Sequence, residues 1–256
     1  MNRLFGSIAI LLSIALLVFL SFPIIKILVG TPYESLVKAF GDKAITDSVF
    51  LSIKMSFFST VIVITCGSPF AYFLARHSFP GKSLIESLID VPVMVPHVAA
   101  GIALLMVFGA RGIFGTAFKI IGIDFLDTQA GILIAMMFVS APFFINSAKE
   151  GFKKVDVRLE YVSRTLGANT VWTFFKITLP NARKDIVNGA LMMWGRGLGE
   201  FGAVIILAYH PMTAPVMIYD RFNSFGLSYS LPVAAIMIII SIIIFALIRI
   251  INNMLK

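Results

Sequence analysis

The sequence predicts an all-α membrane protein with six transmembrane helices. Three observations support this: 59% of the 256 residues are hydrophobic, only 13% are charged, and the mean hydropathy is +0.95. A soluble core of this size cannot bury so much apolar surface, so lipid must solvate most of the chain. The apolar runs are continuous and do not alternate with a period of two, which excludes a β-barrel.

Six stretches are predicted to span the membrane, because about 20 apolar residues cross its hydrocarbon core. They lie at approximately 4–28, 48–75, 88–109, 131–148, 186–208 and 231–251. The first has the basic start and apolar run of a secretory signal. It continues to Val29 without a small-residue cleavage site, so we expect an uncleaved first helix.

The distribution of Lys and Arg predicts the orientation of these spans. If the N-terminus is cytoplasmic, thirteen Lys and Arg residues lie on the inside and five on the outside. The positive-inside rule therefore places both termini and the loop 149–185 in the cytoplasm of a multi-pass plasma-membrane protein. The net charge of +8 then reflects topology, and nucleic acid is not an expected partner because no aromatic side chains interleave with a basic stripe.

The loop 149–185 contains the most polar helical pattern of the chain. Four apolar residues recur there at helical spacing and predict one apolar stripe: Val155, Leu159, Val162 and Leu166. Gly167 can close a first short helix, Thr170 can cap a second, and Pro180 can end it. This pattern also fits an amphipathic hairpin that lies on the lipid surface.

The third predicted span begins with prolines at positions 92 and 96. Each proline removes a backbone donor and disfavours helix in the preceding residue, so we expect an irregular or kinked start. Irregular backbone at membrane depth is tolerated where it is buried in protein or faces a watery cavity. Pro92 and Pro96 are therefore candidates for a pathway wall or gate, the alternative being a simple kink packed on a neighbouring helix.

The fifth predicted span combines glycines with two opposite charges. Gly195, Gly199 and Gly202 are spaced to form a smooth face for another helix. Arg196 and Glu200 would each cost about 2.5–3.5 kcal/mol at a helix centre, so we expect them to pair or to face the bundle interior. The pair is either purely structural or lies near an ion path.

Several other sequence features argue against catalysis by this chain. Gly81–Ser83 resembles the end of a phosphate-binding loop, but Arg76 stands where that loop requires glycine, so the chain is not expected to hydrolyse ATP. Its single Cys66 allows no disulfide framework. No metal-ligand spacing or catalytic constellation is recognised, and the scattered histidines are His77, His97 and His210.

The segment Tyr161–Pro180 resembles the cytoplasmic coupling loop of permease subunits of ATP-binding-cassette importers. Their pattern is E-A-A, three residues, G, nine residues and I-x-L-P, and Gly167 and Ile177–Pro180 fit it. Tyr161 stands where the glutamate is expected, and Glu160 comes one place early. The resemblance implies ATPase coupling through Glu160, Tyr161, Val162, Ser163, Arg164, Leu166, Gly167, Ala168, Ile177, Leu179 and Pro180.

A narrower resemblance covers most of the chain. The stretches DVPVMVPHVAAGIALL, RTLGA and GRGLGEFGAVIILAYHPMTAPVMIYDRFNSFGL are similar to the permease subunit of archaeal molybdate and tungstate importers, and more distantly to sulfate permeases. This implies a type I permease homodimer, two ATPase subunits that bind the ATP, an external oxyanion-binding protein and no cofactor on this chain. The candidate pathway residues are Pro92, Pro96, Arg196, Gly199, Glu200 and Gly202.

Two other functional classes follow less readily from the residues. A sulfate or thiosulfate permease would share most of these motifs. An autonomous secondary transporter would need its own coupling-ion site, and it often has broken helices in both halves, whereas the sequence indicates one break, near Pro92. A membrane-embedded enzyme is disfavoured because no paired carboxylates or nucleophile are recognised.

Overall fold

The computed structural model describes residues 3–254, and those residues form helices and connecting turns without any β-strand. The first helices are α1 Arg3–Gly30, α2 Tyr33–Gly41, α3 Lys43–Arg76, α4 Lys82–Met94, α5 His97–Phe108, α6 Ile113–Lys119 and α7 Gln129–Lys154. Then follow α8 Val157–Thr165, α9 Thr170–Thr173, a π-helical turn Phe174–Thr178, α10 Leu179–Asn181, α11 Arg183–Leu198, α12 Gly202–Leu207, α13 Ala214–Phe225 and α14 Leu227–Met254. The predicted all-α fold is confirmed.

Four helices within residues 3–254 are long and apolar enough to cross a membrane. They are Phe5–Gly30, Lys43–Arg76, Gln129–Lys154 and Leu227–Ala246. The bent pair α4 and α5 raises the number to five if it forms one span. These elements correspond to five of the six predicted spans, and the remaining stretch, 186–208, is divided between α11 and α12. That the chain crosses the membrane six times remains a prediction.

Continuous apolar sequence forms α1, which is almost entirely exposed on the protein. None of its most apolar window is buried against other helices, although it touches α14. Such a helix is stable only where lipid covers its side chains. The predicted cytoplasmic position of the chain ends concerns Met1–Asn2 and Leu255–Lys256, which lie outside the described residues.

The centre of the bundle is built on α3 and α7. Buried serines line α3, and each hydroxyl donates to a carbonyl one turn earlier: Ser52 to Ser48, Ser56 to Ile53 and Ser59 to Ser56. A satisfied hydroxyl on a small side chain lets neighbouring helices approach closely without an unpaired polar group. This is why α3 can pack along both α7 and α11.

Two glycines allow α5 and α12 to cross with their backbones in contact. A Cβ atom on Gly101 would lie 2.8 Å from the Ile206 Cβ, and one on Gly202 would lie 2.6 Å from the His97 Cβ. No neighbouring atom lies within 4 Å of a Cβ on Gly195 or Gly199. The predicted smooth face is therefore used at Gly202 but not at the other two glycines within the described chain.

Candidate functional site

The first short helix of the loop 149–185 ends at a glycine elbow, as predicted. Gly167 has a φ of +90°, a conformation that favours glycine because a side chain would be strained there. The Ala168 N–H donates to the Ser163 carbonyl at 3.1 Å, and the Gly167 N–H donates to the Arg164 carbonyl at 3.0 Å. This pair of bonds satisfies the last carbonyls of α8 and fixes the angle at which α9 leaves.

The second short helix is capped by a different residue from the one predicted. Asn169 precedes α9, and its side-chain oxygen accepts a hydrogen bond of 2.8 Å from the Trp172 N–H. Thr170 is the first residue inside the helix. The prediction of a Thr170 cap is wrong because asparagine, one residue earlier, satisfies the same backbone donor equally well.

Pro180 does not end the second helix. After α9 the backbone widens into the π-helical turn and continues into α10, where Pro180 lies in the first turn. A missing N–H is tolerated there because the first turn of a helix has unpaired donors. The interruption comes at Ala182, just before α11, so the predicted stop at Pro180 is wrong by two positions.

An apolar groove of about 640 Å³ opens between these short helices. Its lining residues are Arg158, Leu159, Val162, Ser163, Leu166, Gly167, Ala168, Asn169, Trp172 and Ile177. Leu166 is 83% exposed and Val162 is 57% exposed, whereas Val155, at the start of the predicted stripe, is buried in the bundle. Exposed apolar side chains around a groove are typical of a protein contact surface.

Beneath the groove lies a buried ion pair that the sequence did not predict. Glu160 is only 3% exposed, and its Oε1 accepts hydrogen bonds from Arg76 Nη2 at 2.8 Å and Arg76 Nε at 3.0 Å. Thr178 Oγ1 donates to the same oxygen at 2.9 Å, and the Tyr72 hydroxyl donates to Oε2 at 2.9 Å. This network, the Arg76–Glu160 node, joins α3 to α8 and to the π-helical turn.

The ionised form of Glu160 is stabilised by the node. Burial raises the pKa of the carboxyl, but hydrogen bonds from Arg76, Tyr72 and Thr178 outweigh burial and hold the pKa below its usual value of 4.5. The Tyr72 ring also packs edge-on against Phe152 and Phe174. The segment that contains α8 and the π-helical turn is therefore fixed to the end of α3 by both charge and packing.

The predicted coupling residues divide into two groups by their burial. Glu160 and Ser163 are buried, and the Ser163 and Thr173 hydroxyls lie 3.0 Å apart inside the hairpin. Tyr161, which stands in the place of the pattern's glutamate, is 61% exposed. Val162 and Leu166 are also largely exposed. Glu160 and Ser163 therefore hold the segment from inside, whereas Tyr161, Val162 and Leu166 lie on its surface.

The third predicted span is broken, as its prolines indicated. Helix α4 ends at Met94, Val95 is extended with a ψ of 136°, and Pro96 precedes α5. The two helices meet at an angle of 113°. Pro92 itself lies inside α4, so the break occurs at Val95–Pro96.

The fifth predicted span is also broken, which the sequence did not indicate. Helix α11 ends at Leu198 and α12 begins at Gly202. Glu200 lies in this break, fully buried, and its Oε2 is 3.0 Å from Arg196 Nη2. The expected Arg196–Glu200 pair is present, and the Glu200 Oε1 also accepts a hydrogen bond of 3.0 Å from the Ala203 N–H.

His97 completes this group, although sequence reasoning treated it as an isolated histidine. Its Nδ1 lies 2.9 Å from Glu200 Oε2, and its Nδ1 and Nε2 lie 2.7 and 2.9 Å from Arg196 Nη2. The three side chains, here called the charged cluster, join the break before α5 to the break before α12. One feature of the sequence could have indicated this role of His97, namely its position directly after Pro96 at the predicted irregular start of the span.

Side chains that commonly ligate metals are scattered over the described part of the chain. Within residues 3–254, no group of three or more His, Cys, Asp and Glu side chains could hold a metal ion. Two polar contacts tie α4 to α7 instead: Asn146 Nδ2 donates to Asp90 Oδ1 at 2.6 Å, and Lys149 Nζ donates to Glu86 Oε1 at 3.1 Å. These contacts position the bent pair, and the sequence did not reveal them.

The residues of the groove, of the Arg76–Glu160 node and of the charged cluster lie mainly in a part of the chain that matches a known family. Residues 67–256 match the model of the binding-protein-dependent transport system inner membrane component. The chain belongs to this family. It is a transport permease, and the family's members are membrane components of transport systems rather than enzymes.

Curated relatives of the permease extend over most of its length. The molybdate/tungstate transport system permease protein of Pyrococcus furiosus is 41% identical over 91% of this chain and 90% of that protein. The protein of the same name from Methanocaldococcus jannaschii is 38% identical, covering 83% of this chain and 84% of that one. A probable sulfate transport system permease protein of Chlorokybus atmophyticus is 32% identical, covering 75% and 68%.

Solved structures support the same architecture for the permease. A chain of the bacterial ABC transporter involved in the import of alginate superposes with a TM-score of 0.78 at 16% identity, covering 100% of this chain and 96% of that one. A chain of the MetNI methionine ABC transporter gives 0.63 at 15% identity, covering 83% and 96%. At these identities the likeness establishes the fold alone, that of an importer permease.

Proposed function

We propose that the permease is the transmembrane subunit of an ATP-driven importer that carries molybdate or tungstate into the cytoplasm. The observation that carries the proposal is the 41% identity, over 91% of the chain, to a relative named for these oxyanions. A sulfate or thiosulfate permease is the second candidate, supported by the 32% identity to a relative named for sulfate. The higher identity and the greater coverage favour molybdate and tungstate.

Energy for transport would come from two copies of a separate ATPase subunit, which bind the ATP, and the permease itself would hold no cofactor. The groove between α8 and α9 supports this proposal, since its exposed Val162, Leu166 and Trp172 can be covered by a partner. The Arg76–Glu160 node would carry motion of the segment to α3. An external binding protein would deliver the oxyanion.

The working unit would contain two copies of the permease, with the oxyanion path between them. Both chain ends and the groove would face the cytoplasm, as the excess of Lys and Arg on that side indicates. The charged cluster and the helix breaks beside it are the proposed boundary of the path. The residues proposed there are Pro92, Pro96, Arg196, Gly199, Glu200 and Gly202.

Uptake into reconstituted vesicles tests the proposal. Vesicles holding the permease, its ATPase and the binding protein should accumulate tungstate and molybdate when ATP is supplied to the ATPase. Sulfate should compete weakly. Strong competition by sulfate would favour the second candidate, and uptake without ATP by vesicles holding the permease alone would support an autonomous secondary transporter instead.

A further inference from the structure

A second apolar groove, of about 470 Å³, lies where α3, the π-helical turn, α10 and the start of α11 meet. It is here called the α3–α11 groove, and it shares no lining residue with the groove between α8 and α9. Its apolar walls include Ile64 of α3, Phe175 of the π-helical turn, Leu179 of α10 and Val187 of α11. The volume is in the range of ligand pockets, which makes this groove a candidate binding site.

The hydroxyl groups in the α3–α11 groove have no hydrogen left to donate to a ligand. Thr65 Oγ1 donates to the Val61 carbonyl at 2.9 Å, and Ser68 Oγ donates to the Ile64 carbonyl at 2.6 Å. A hydroxyl carries one hydrogen, and both of these hydrogens are used within α3 itself. The walls therefore suit a hydrocarbon chain better than a polar ligand.

Among the described residues, Arg183 is the charged side chain that lines the α3–α11 groove. It is the first residue of α11 and is exposed, and within residues 3–254 its guanidinium has neither a hydrogen bond nor an ion pair. The carboxylate of Asp185, on the same turn of α11, is already paired with Lys154 at 2.7 Å. Lys184 is also exposed and adds positive charge. The groove thus combines hydrocarbon walls with a cation that no carboxylate neutralises.

The α3–α11 groove extends from the membrane interior to its boundary. Its α3 lining lies between residues 64 and 69, within a helix that is long and apolar enough to cross a membrane. On α11, Arg183 comes before the predicted apolar stretch, which begins at residue 186. Thr65, Pro69 and Phe175 are exposed, so the groove opens on the surface of the described chain. At this depth that surface adjoins lipid.

We propose that the α3–α11 groove binds one acyl chain of an anionic phospholipid, whose headgroup phosphate pairs with Arg183. Basic pockets between transmembrane helices bind anionic headgroups, and arginine forms strong charge-assisted hydrogen bonds with phosphate. The acyl chain fills space in which the groove walls would otherwise lack packing partners. A protein surface that covered the groove would have to bring its own carboxylate, because burying Arg183 without a counter-charge is costly. This site lies outside the proposed transport path and does not depend on which anion is carried.

Photolabelling with lipids tests the site in the unaltered protein. The complex of permease and ATPase is placed in phosphatidylcholine vesicles that contain a trace of photoactivatable phosphatidylglycerol or of photoactivatable phosphatidylcholine. Each probe carries its reactive group on the acyl chain, and labelled peptides are quantified by mass spectrometry. We expect the anionic probe to label residues 64–69 about fivefold more than the neutral probe, since one Lys or Arg contributes about that factor to the attraction of an anionic lipid. Residues 10–20 of α1 are exposed and uncharged, so both probes should label them equally.

Removal of the arginine supplies the second measurement. Arg183→Gln should reduce labelling of residues 64–69 by the anionic probe about fivefold, to the level of the neutral probe. Arg249→Gln is the matched control, because it removes an exposed arginine of α14 that does not line the groove. It should leave the labelling unchanged.

Filling the groove supplies the third measurement. Thr65→Trp places a large ring in the groove lining, so labelling of residues 183–187 by both probes should be lost. Cys66→Trp makes a similar increase in size at the next residue, which is exposed but does not line the groove, and this labelling should persist. Co-isolation of the ATPase at the wild-type level shows that both variants fold.

The results decide whether a lipid occupies the α3–α11 groove. Equal labelling of residues 64–69 by the two probes in the wild type refutes the proposal, as does labelling that Arg183→Gln leaves unchanged. Absence of label there also refutes it, and if Thr65→Trp then prevents two differently tagged permease chains from co-isolating, the groove is covered by a second copy instead. Each of these outcomes leaves the transported anion open, so the proposed function stands or fails on the uptake experiment alone.

Discussion

The carboxylate of Glu160 is buried away from water. Taking a charge out of water is costly, and the cost is offset here by Arg76 together with the hydroxyls of Tyr72 and Thr178, which leave neither carboxylate oxygen unpaired. Such a node contributes more to the orientation of α8 than to net stability. It allows the α8 helix only one position on the end of α3.

Removing one partner of the node should therefore be strongly destabilising. Glu160→Ala leaves Arg76 buried without a counter-charge and should lower the free energy of unfolding by ~3–5 kcal/mol. Glu160→Gln, which can still accept hydrogen bonds, should cost less. Thermal unfolding in detergent measures both.

The matched control for these variants is an exposed pair on α7. Lys153 and Glu150 lie 2.8 Å apart, with both side chains largely exposed. Glu150→Ala should change stability by no more than ~1 kcal/mol, because solvent screens the pair. Equal losses for Glu150→Ala and Glu160→Ala would contradict the role given to the node.

The node also predicts a dependence on pH. The pKa of Glu160 is lower in the folded protein than its usual value of 4.5, so its stabilising contribution is fully present above 4.5. That contribution is lost as the pH falls through the lower, folded pKa. The difference in unfolding temperature between wild type and Glu160→Gln should shrink across this acidic range, and a difference that widens there would contradict the assignment.

Residue patterns predicted local pairs but not distant ones. Arg196 and Glu200 are four residues apart, and the cost of each charge in a membrane made their pairing predictable. His97 comes from 99 residues away in the chain and Arg76 from 84 residues away. No local periodicity signals such contacts, because they exist only once the helices have packed.

The groove is the element that a partner would cover, and a charge there should prevent it. Leu166→Glu places a carboxylate at an 83% exposed position in the groove lining, so it should be tolerated by the isolated permease. On assembly the charge would be buried unpaired, and co-isolation of the ATPase should fall by about tenfold or more. Quantitative pull-down measures this.

Thr165→Glu is the control for the groove. Thr165 is exposed next to Leu166 but does not line the groove, so co-isolation of the ATPase should remain close to wild type. An equal loss in both variants would indicate that any added charge near the end of α8 is harmful. The groove would then have no special role in assembly.

The crossing of α5 and α12 makes a second prediction about elements. Gly101→Ala places a Cβ 2.8 Å from the Ile206 Cβ and 2.9 Å from the Ala203 carbonyl oxygen, so it should be destabilising by ~1–3 kcal/mol. Gly195→Ala meets no atom within 4 Å inside helix α11 and should be neutral or stabilise by up to ~1 kcal/mol. Unfolding temperatures of the two variants should move in different directions or by clearly different amounts.

Apolar runs predicted the long helices, and their interruptions were harder to predict. Helices α1, α3, α7 and α14 each occupy a predicted span because a continuous apolar run of that length has few other stable forms in lipid. The break at Val95–Pro96 was predictable because proline removes donors. The break at 199–201 was not, because Leu198–Ala203 contains no proline that would remove a backbone donor.

Beyond α1, the described chain exposes apolar surface that includes Phe57, Met106 and Phe222. The proposed second copy would cover part of it, and a differently tagged pair of permease chains expressed together should therefore co-isolate in mild detergent. Chains expressed separately and mixed after extraction should not, which controls for aggregation. Recovery of one tag without the other from the co-expressed sample would contradict a homodimer.

At the scale of the molecule, the two proposed working parts lie at opposite ends of one connected body. The Arg76–Glu160 node fixes α8 to α3, and α3 packs along both α7 and α11. Helix α11 ends beside the charged cluster. A displacement that begins at the groove therefore has a continuous packed route to Arg196. The sequence predicted both ends of this route as candidate sites, while the packing between them came from the structure.

The glycines at 101 and 202 have a consequence for the charged cluster as well as for packing. They allow two half-helices to hold each other by their main chains, and this contact places His97 beside Glu200. A methyl group added at either position would push the two half-helices apart without altering any charge. The arrangement of the charged cluster therefore depends on two residues that have no side chain.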